Sequence, residues 1–92
     1  MGKPTGRELQ EALAEAGRMR ESGEDPHHVG KSLLNLNYRL SYLQRVLHAA
    51  DAFLRYGQEA HLHAELLRAV EDAKAVEEQE PEADDTAQRP LV

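Results

Sequence analysis

The longest stretch without a helix-breaking signal follows Asp25 and Pro26 and constrains this 92-residue chain more than any other feature. Asp25 is a good N-cap, and Pro26 fits the first helical position because the N–H that proline lacks is not needed there. Gly57 is placed to end the helix in a left-handed cap. These signals predict a helix over 26–56, 31 residues and ~46 Å long. An interruption near residues 30–32, at an internal glycine, is the alternative.

This helix is apolar on two sides. One stripe, the leucine seam, follows alternating spacings of four and three residues, which is a heptad register. The leucine seam comprises Val29, Leu33, Leu36, Leu40, Leu43, Leu47, Ala50 and Leu54. A second stripe lies on nearly the opposite side and holds all four aromatic residues of the chain. This aromatic stripe comprises Tyr38, Tyr42, Val46, Ala49, Phe53 and Tyr56. Polar residues, among them His48 and Arg55, occupy a third edge.

Two shorter helices flank the central one. Thr5 and Glu8 have the spacing of a capping box, which predicts a helix over about 6–22. Small residues in it permit another helix to approach closely; they are Ala12, Ala16 and Gly17. A third helix is expected over about 58–79, with a single apolar stripe. The chain is therefore predicted to be all-α, a three-helix up-down-up arrangement with a long central helix.

The packing of these helices has two solutions. Both short helices can pack on the leucine seam, which leaves the aromatic stripe uncovered wholly or in part. Alternatively, one short helix packs on each side of the central helix, and both stripes belong to the core. A chain this small, without cysteine, has few other means of burying a doubly apolar helix. We therefore expect association, with an intertwined homodimeric helical bundle as one form of it.

The formal charge of −6 is concentrated at the C-terminal end. Residues 77–92 contain six acidic side chains against one arginine, whereas residues 1–76 are nearly neutral. Two prolines and a lack of large apolar residues predict that 81–92 is an acidic disordered tail. The domain organisation is then an extension over 1–5, a helical domain over 6–80 and the tail. Without a signal peptide or an apolar span, the expected location is cytoplasmic, with no membrane contact.

Residues that carry chemistry are scarce. There is no cysteine and no nucleophile elbow, and none of the three serines lies beside an obvious base. Gly30-Lys31-Ser32 resembles the end of a phosphate-binding loop, but the first glycine of that motif is replaced by Asp25. We therefore expect no enzymatic activity, no catalytic residue and no cofactor.

The histidines have weak ligand spacing. His61 and His63 point ~200° apart on a regular helix and cannot chelate one ion together. Each has a carboxylate at i±4, so a symmetric dimer that joins two such pairs is the arrangement that binds a metal. His27 and His28 lie at a helix start, where the helix dipole disfavours protonation and a mild pH response can arise. The stronger interpretation is that these side chains are structural or solvent-exposed, and no metal is expected.

Two functions remain. The first is a small non-enzymatic protein–protein interaction module, an adaptor, assembly factor or regulator, which binds itself or another protein through the aromatic stripe. The alternative is a nucleic-acid-associated regulator that uses basic side chains of helices two and three to contact phosphates. Those side chains are Lys31, Arg39, Arg45, Arg55 and Arg68. The alternative is disfavoured because they point in different directions and the acidic tail repels nucleic acid.

Overall fold

The computed structural model describes residues 1–81, which form three α-helices and one short 3-10 turn. The helices are α1 (Gly6–Ser22), α2 (Val29–Tyr56) and α3 (Ala60–Glu77), and the 3-10 turn over Pro26–His28 precedes α2. The prediction of an all-α chain with a long central helix is confirmed. The predicted tail lies outside the described residues apart from Pro81.

Both ends of α1 follow from local side-chain chemistry. The Glu8 amide donates to the Thr5 hydroxyl at 3.0 Å and the Thr5 amide donates to the Glu8 carboxylate at 2.8 Å, so the predicted capping box is present. Gly23 ends the helix with a φ of 80°, a left-handed conformation that costs glycine little. The observed helix has the predicted bounds.

The start of α2 corrects the prediction. The α-helix begins at Val29 rather than at position 26, because Pro26 opens a 3-10 turn in which His27 and His28 have φ values of 56° and 58°. The interruption therefore lies before the helix, and α2 is continuous through residues 30–32. The Asp25 carboxylate still accepts hydrogen bonds from two amides of the first turn, those of Gly30 and Lys31, although it lies several residues upstream of them.

The end of α2 also differs from the prediction. Gly57 has φ −64° and ψ 3°, so it does not form the left-handed cap that the sequence predicts. The chain instead reverses through a tight turn in which the Glu59 amide donates to the Tyr56 carbonyl at 3.3 Å. As a result, α3 begins at Ala60 and ends at Glu77, two residues inside the predicted 58–79 at each end.

The central helix packs against both short helices, whereas the backbones of α1 and α3 do not pack on each other within residues 1–81. The buried apolar residues of this part are few: Ala16, Ala73 and Val76. The radius of gyration is 17.6 Å, whereas a compact chain of this length has ~12 Å. The fold is thus an elongated scaffold with α2 as its spine.

Candidate interaction surface

The third helix packs antiparallel on the aromatic-stripe side of α2. The Phe53 and His63 rings lie 6.0 Å apart near one end of the contact. Near the other end, Arg39 donates two hydrogen bonds, of 2.9 and 2.8 Å, to the Glu77 carboxylate. Of the two packing solutions, the one in which α3 packs on the leucine seam is therefore wrong.

Two ion pairs accompany this choice of side. Arg39 and Arg45 lie on opposite margins of the aromatic stripe, and α3 presents a carboxylate to each. The Arg45 and Asp72 side chains approach to 3.9 Å on the margin opposite the Arg39–Glu77 pair. Through their hydrogen bonds, the pKa of Glu77 is lowered and the pKa of Arg39 is raised.

The aromatic stripe is only partly accessible in this arrangement. Its middle residues are half-buried along the contact with α3: Tyr42, Val46, Ala49 and Phe53. Its ends stay open, since Tyr38 is 44% and Tyr56 is 63% exposed. Tyr42 is enclosed further, with Tyr38 edge-on at 5.2 Å and the Arg45 guanidinium 4.7 Å from its ring centroid. Binding of a partner by this stripe stays a prediction, and only its two ends offer open surface.

The leucine seam, in contrast, faces outward along most of α2. Leu47 is 70% and Leu54 is 82% exposed, and the other open members of the seam are about half exposed. Those other members are Val29, Leu36, Leu40 and Leu43. Leu33 and Ala50 are half-buried. From Leu36 to Leu54 the seam is an apolar ridge ~27 Å long that neither short helix covers.

The first helix leaves this ridge uncovered because it packs near the start of α2. Ala16 is 2% exposed there, and a Cβ added to Gly30 would lie 3.0 Å from the Ala16 carbonyl oxygen. Of the small residues singled out in α1, Ala16 makes this close contact, whereas a Cβ at Gly17 would meet nothing within 4 Å. The glycine at position 30 is therefore a contact point between the two helices.

An apolar groove runs beside the ridge. Leu43 and Val46 of α2 form one wall, and Val70 and Ala73 of α3 form the other. The groove has a volume of about 320 Å³. Its rim is charged and is formed by Lys74, Glu77 and Glu78. Ridge and groove together form the candidate interaction surface, which the sequence pattern did not locate because the groove exists only once α3 is in place.

Most of the basic side chains considered for nucleic acid lie beside carboxylates. Arg39, Arg45 and Arg55 each lie against a carboxylate. Lys31 and Arg39 line a polar cleft between the start of α2 and the end of α3, which Glu77 and Glu80 also line. Arg68 lies on α3. Because carboxylates lie beside Arg39, Arg45 and Arg55 and in the cleft with Lys31, these four cations do not form a concentrated positive patch for phosphates.

The histidines are dispersed. His27 and His28 form the turn before α2, His61 lies 3.4 Å from the Glu59 carboxylate, and the His63 ring faces Phe53. Within residues 1–81, no three histidine, aspartate or glutamate side chains are grouped so that they could hold a metal ion.

Comparison with known proteins gives no relative: no protein-family model, no curated protein and no solved structure matches the chain. None of the helices in the described part is both long and apolar enough to cross a membrane.

Proposed function

We propose that this chain is a non-enzymatic helical interaction module, an adaptor, assembly factor or regulator, which associates with a protein partner through the leucine seam of α2. The single observation that carries the proposal is the ridge from Leu36 to Leu54, whose leucines are 46–82% exposed. The aromatic stripe supplies only its open ends, Tyr38 and Tyr56, because α3 packs along its middle.

The physical argument rests on the free energy of exposing apolar surface. Burial of a leucine side chain stabilises by ~1.5–3 kcal/mol, so several leucines left open in one row favour association strongly. Soluble monomers rarely gather more than a few hundred Å² of apolar surface in one patch. A continuous leucine ridge on a regular helix is typical of helix–helix interfaces, where each side chain enters a hole on the facing helix.

We further propose that the chain has no catalytic role and acts in the cytoplasm. The alternative, a nucleic-acid-associated regulator, is not favoured by any feature of the described residues. The basic side chains of α2 that would contact phosphates already face carboxylates.

A photo-crosslinking amino acid placed at position 47, in the chain expressed in its own cells, tests the proposal. Position 48 is the matched control, because His48 is also exposed and lies on the polar edge of the same helix. We expect protein adducts of defined mass at position 47 and few at position 48. Equal yields at the two positions, or no protein adduct at 47, would contradict the proposal, and a nucleic-acid adduct would favour the alternative.

A further inference from the structure

We propose that the partner of the leucine seam is a second copy of this chain, packed antiparallel, with Leu47 of each copy inserted into the apolar groove of the other. This inference rests on the proposed function and deepens it by naming the partner and the geometry. Such an interface is two-fold symmetric, so one surface has to supply both the ridge and the groove that receives it. The surface described above contains both.

The exposed segment sets the register. It extends from Leu36 to Leu54 and is centred on position 45, so an antiparallel copy overlaps it completely when residue i lies opposite residue 90 − i. Leu36 then faces Leu54, Leu43 faces Leu47, and Leu40 faces Ala50. Each of these layers pairs an a position with a d position of the heptad, the pairing that two antiparallel seams require. The one small residue of the segment, Ala50, is opposite a leucine, so the layer has no void.

A parallel copy fits less well. In a parallel pair with matched ends, Ala50 faces Ala50 and leaves an underpacked layer. Near its start, α2 carries α1 beside Gly30 and the last turn of α3 beside Arg39. In a parallel pair with matched ends, residues of the same number lie side by side. The covered segments of the two copies would then meet at the same end of the interface. In the antiparallel register, the start of each α2 that α1 covers instead lies beyond the end of the other α2, because position 30 is opposite position 60 and α2 ends at Tyr56.

The groove explains why Leu47 is the central contact. At 70% exposure it projects from the ridge, and its antiparallel counterpart, Leu43, is a wall of the groove. The groove has a volume of about 320 Å³, which leaves room for a leucine side chain. Insertion would bring Leu47 against Val46 and Val70 and remove both the ridge and the groove from water.

Area and charge are consistent with this pairing. The open seam residues expose several hundred Å² in each copy, which approaches the ~800 Å² that each partner buries in a standard interface. On the flank away from α3, Gln44 lies near its own counterpart and Asp51 lies opposite Asn37. No like charges meet across that flank, so the antiparallel register carries no electrostatic penalty there.

The first test is the mass of the full-length chain in solution by light scattering. We expect a dimer, at least a tenfold weaker association for Leu47→Glu, and wild-type association for His48→Glu. Circular dichroism checks that both variants keep their helix content. A monomeric wild-type chain, or a Leu47→Glu variant that dimerises like His48→Glu, would overturn the inference.

The second test determines the orientation of the two helices with spin labels. Because the chain has no cysteine, an introduced cysteine is the single labelling site in each copy. His48→Cys and Arg55→Cys place single labels on the polar edge, away from the seam. In the antiparallel register, the two labels of a dimer are separated along the helix axis by ~9 Å at position 48 and ~30 Å at position 55. The distance at position 55 should therefore be clearly the longer. Equal distances would show a parallel dimer and overturn the inference while leaving the proposed function intact.

The two proposals fail in different ways. A crosslink from position 47 to an unrelated protein, combined with a monomeric chain in solution, supports the proposed function and overturns the second copy as partner. Absence of any protein contact at position 47 would contradict both proposals. A dimer in which the distance between the labels at position 55 is not longer than that at position 48 would contradict only the antiparallel geometry.

Discussion

At the scale of single residues, Asp25 joins two helices through one carboxylate. Its oxygens accept hydrogen bonds from the amides of Gly30 and Lys31, at 2.6 and 2.9 Å, and from the guanidinium of Arg20, at 3.1 Å. The side chain is 5% exposed. Desolvation raises the pKa of Asp25, but the hydrogen bonds from α2 and the charge of Arg20 outweigh it and hold the pKa below its ordinary value. The residue therefore both caps α2 and ties it to the end of α1.

The lowered pKa predicts a pH dependence. A carboxylate whose folded pKa lies below its unfolded pKa contributes stability that is complete above the unfolded value, ~4, and is lost as the pH falls through the folded value. We expect Asp25→Asn to be less stable than the wild type at pH 7, and the difference to shrink as the pH falls below ~4. Urea unfolding of both chains at pH 7 and in acid measures it. A difference that does not change with pH would show that Asp25 acts through something other than its charge.

At the scale of the elements, the α1–α2 contact depends on one glycine. A Cβ at Gly30 would lie 3.0 Å from the Ala16 carbonyl oxygen and 3.1 Å from the Asp25 carboxylate, closer than nearly all real Cβ contacts. Gly17 is a helical glycine without such a neighbour. The two glycines thus have opposite roles, one as a close-packing site and the other as a weak point in α1.

Alanine substitutions at these two positions should have opposite effects. Gly30→Ala forces the helices apart and is expected to lower the free energy of unfolding by ~1–3 kcal/mol. Gly17→Ala removes the excess conformational freedom of glycine and is expected to raise it by ~0.5–1 kcal/mol. Denaturant titrations of the two variants and the wild type measure these changes in the free energy of unfolding. If Gly30→Ala proved as stabilising as Gly17→Ala, α1 would not pack on α2 as described.

At the scale of the whole molecule, the chain is an elongated spine with one helix on each of two sides. A radius of gyration of 17.6 Å and only three buried apolar residues in the described part leave little core for a single copy. Small domains with so little buried surface are marginally stable alone. Association through the leucine seam would supply the missing burial, so stability and assembly should be coupled.

This coupling predicts a concentration dependence of thermal unfolding. Because a partner that binds only the folded state stabilises it by mass action, Tm of the wild type should rise by several degrees as the chain concentration rises tenfold. Leu47→Glu should unfold at a lower Tm that does not change with concentration, whereas His48→Glu should follow the wild type. Circular dichroism melts at several chain concentrations measure this. A wild-type Tm independent of concentration would contradict the coupling.

Much of this fold is readable from local patterns. The capping box at Thr5, the three helices and the two stripes of α2 depend on residues close to one another in the chain, and the structure contains all of them. Helix ends were less predictable where nearby backbone conformation competes with the usual signals. The left-handed His27 and His28 delay the start of α2, and Gly57 ends it without a left-handed cap.

Hydrophobic periodicity determines where a side chain lies around its own helix, which is why the amino-acid sequence alone places both stripes on α2. It does not determine which stripe another helix covers, because the two are similarly apolar. That choice depends on contacts between residues far apart in the chain, such as Arg39 and Glu77, which are 38 positions apart. Only the tertiary structure therefore decided that the aromatic stripe lies against α3 and that the leucine seam, with its neighbouring groove, faces outward.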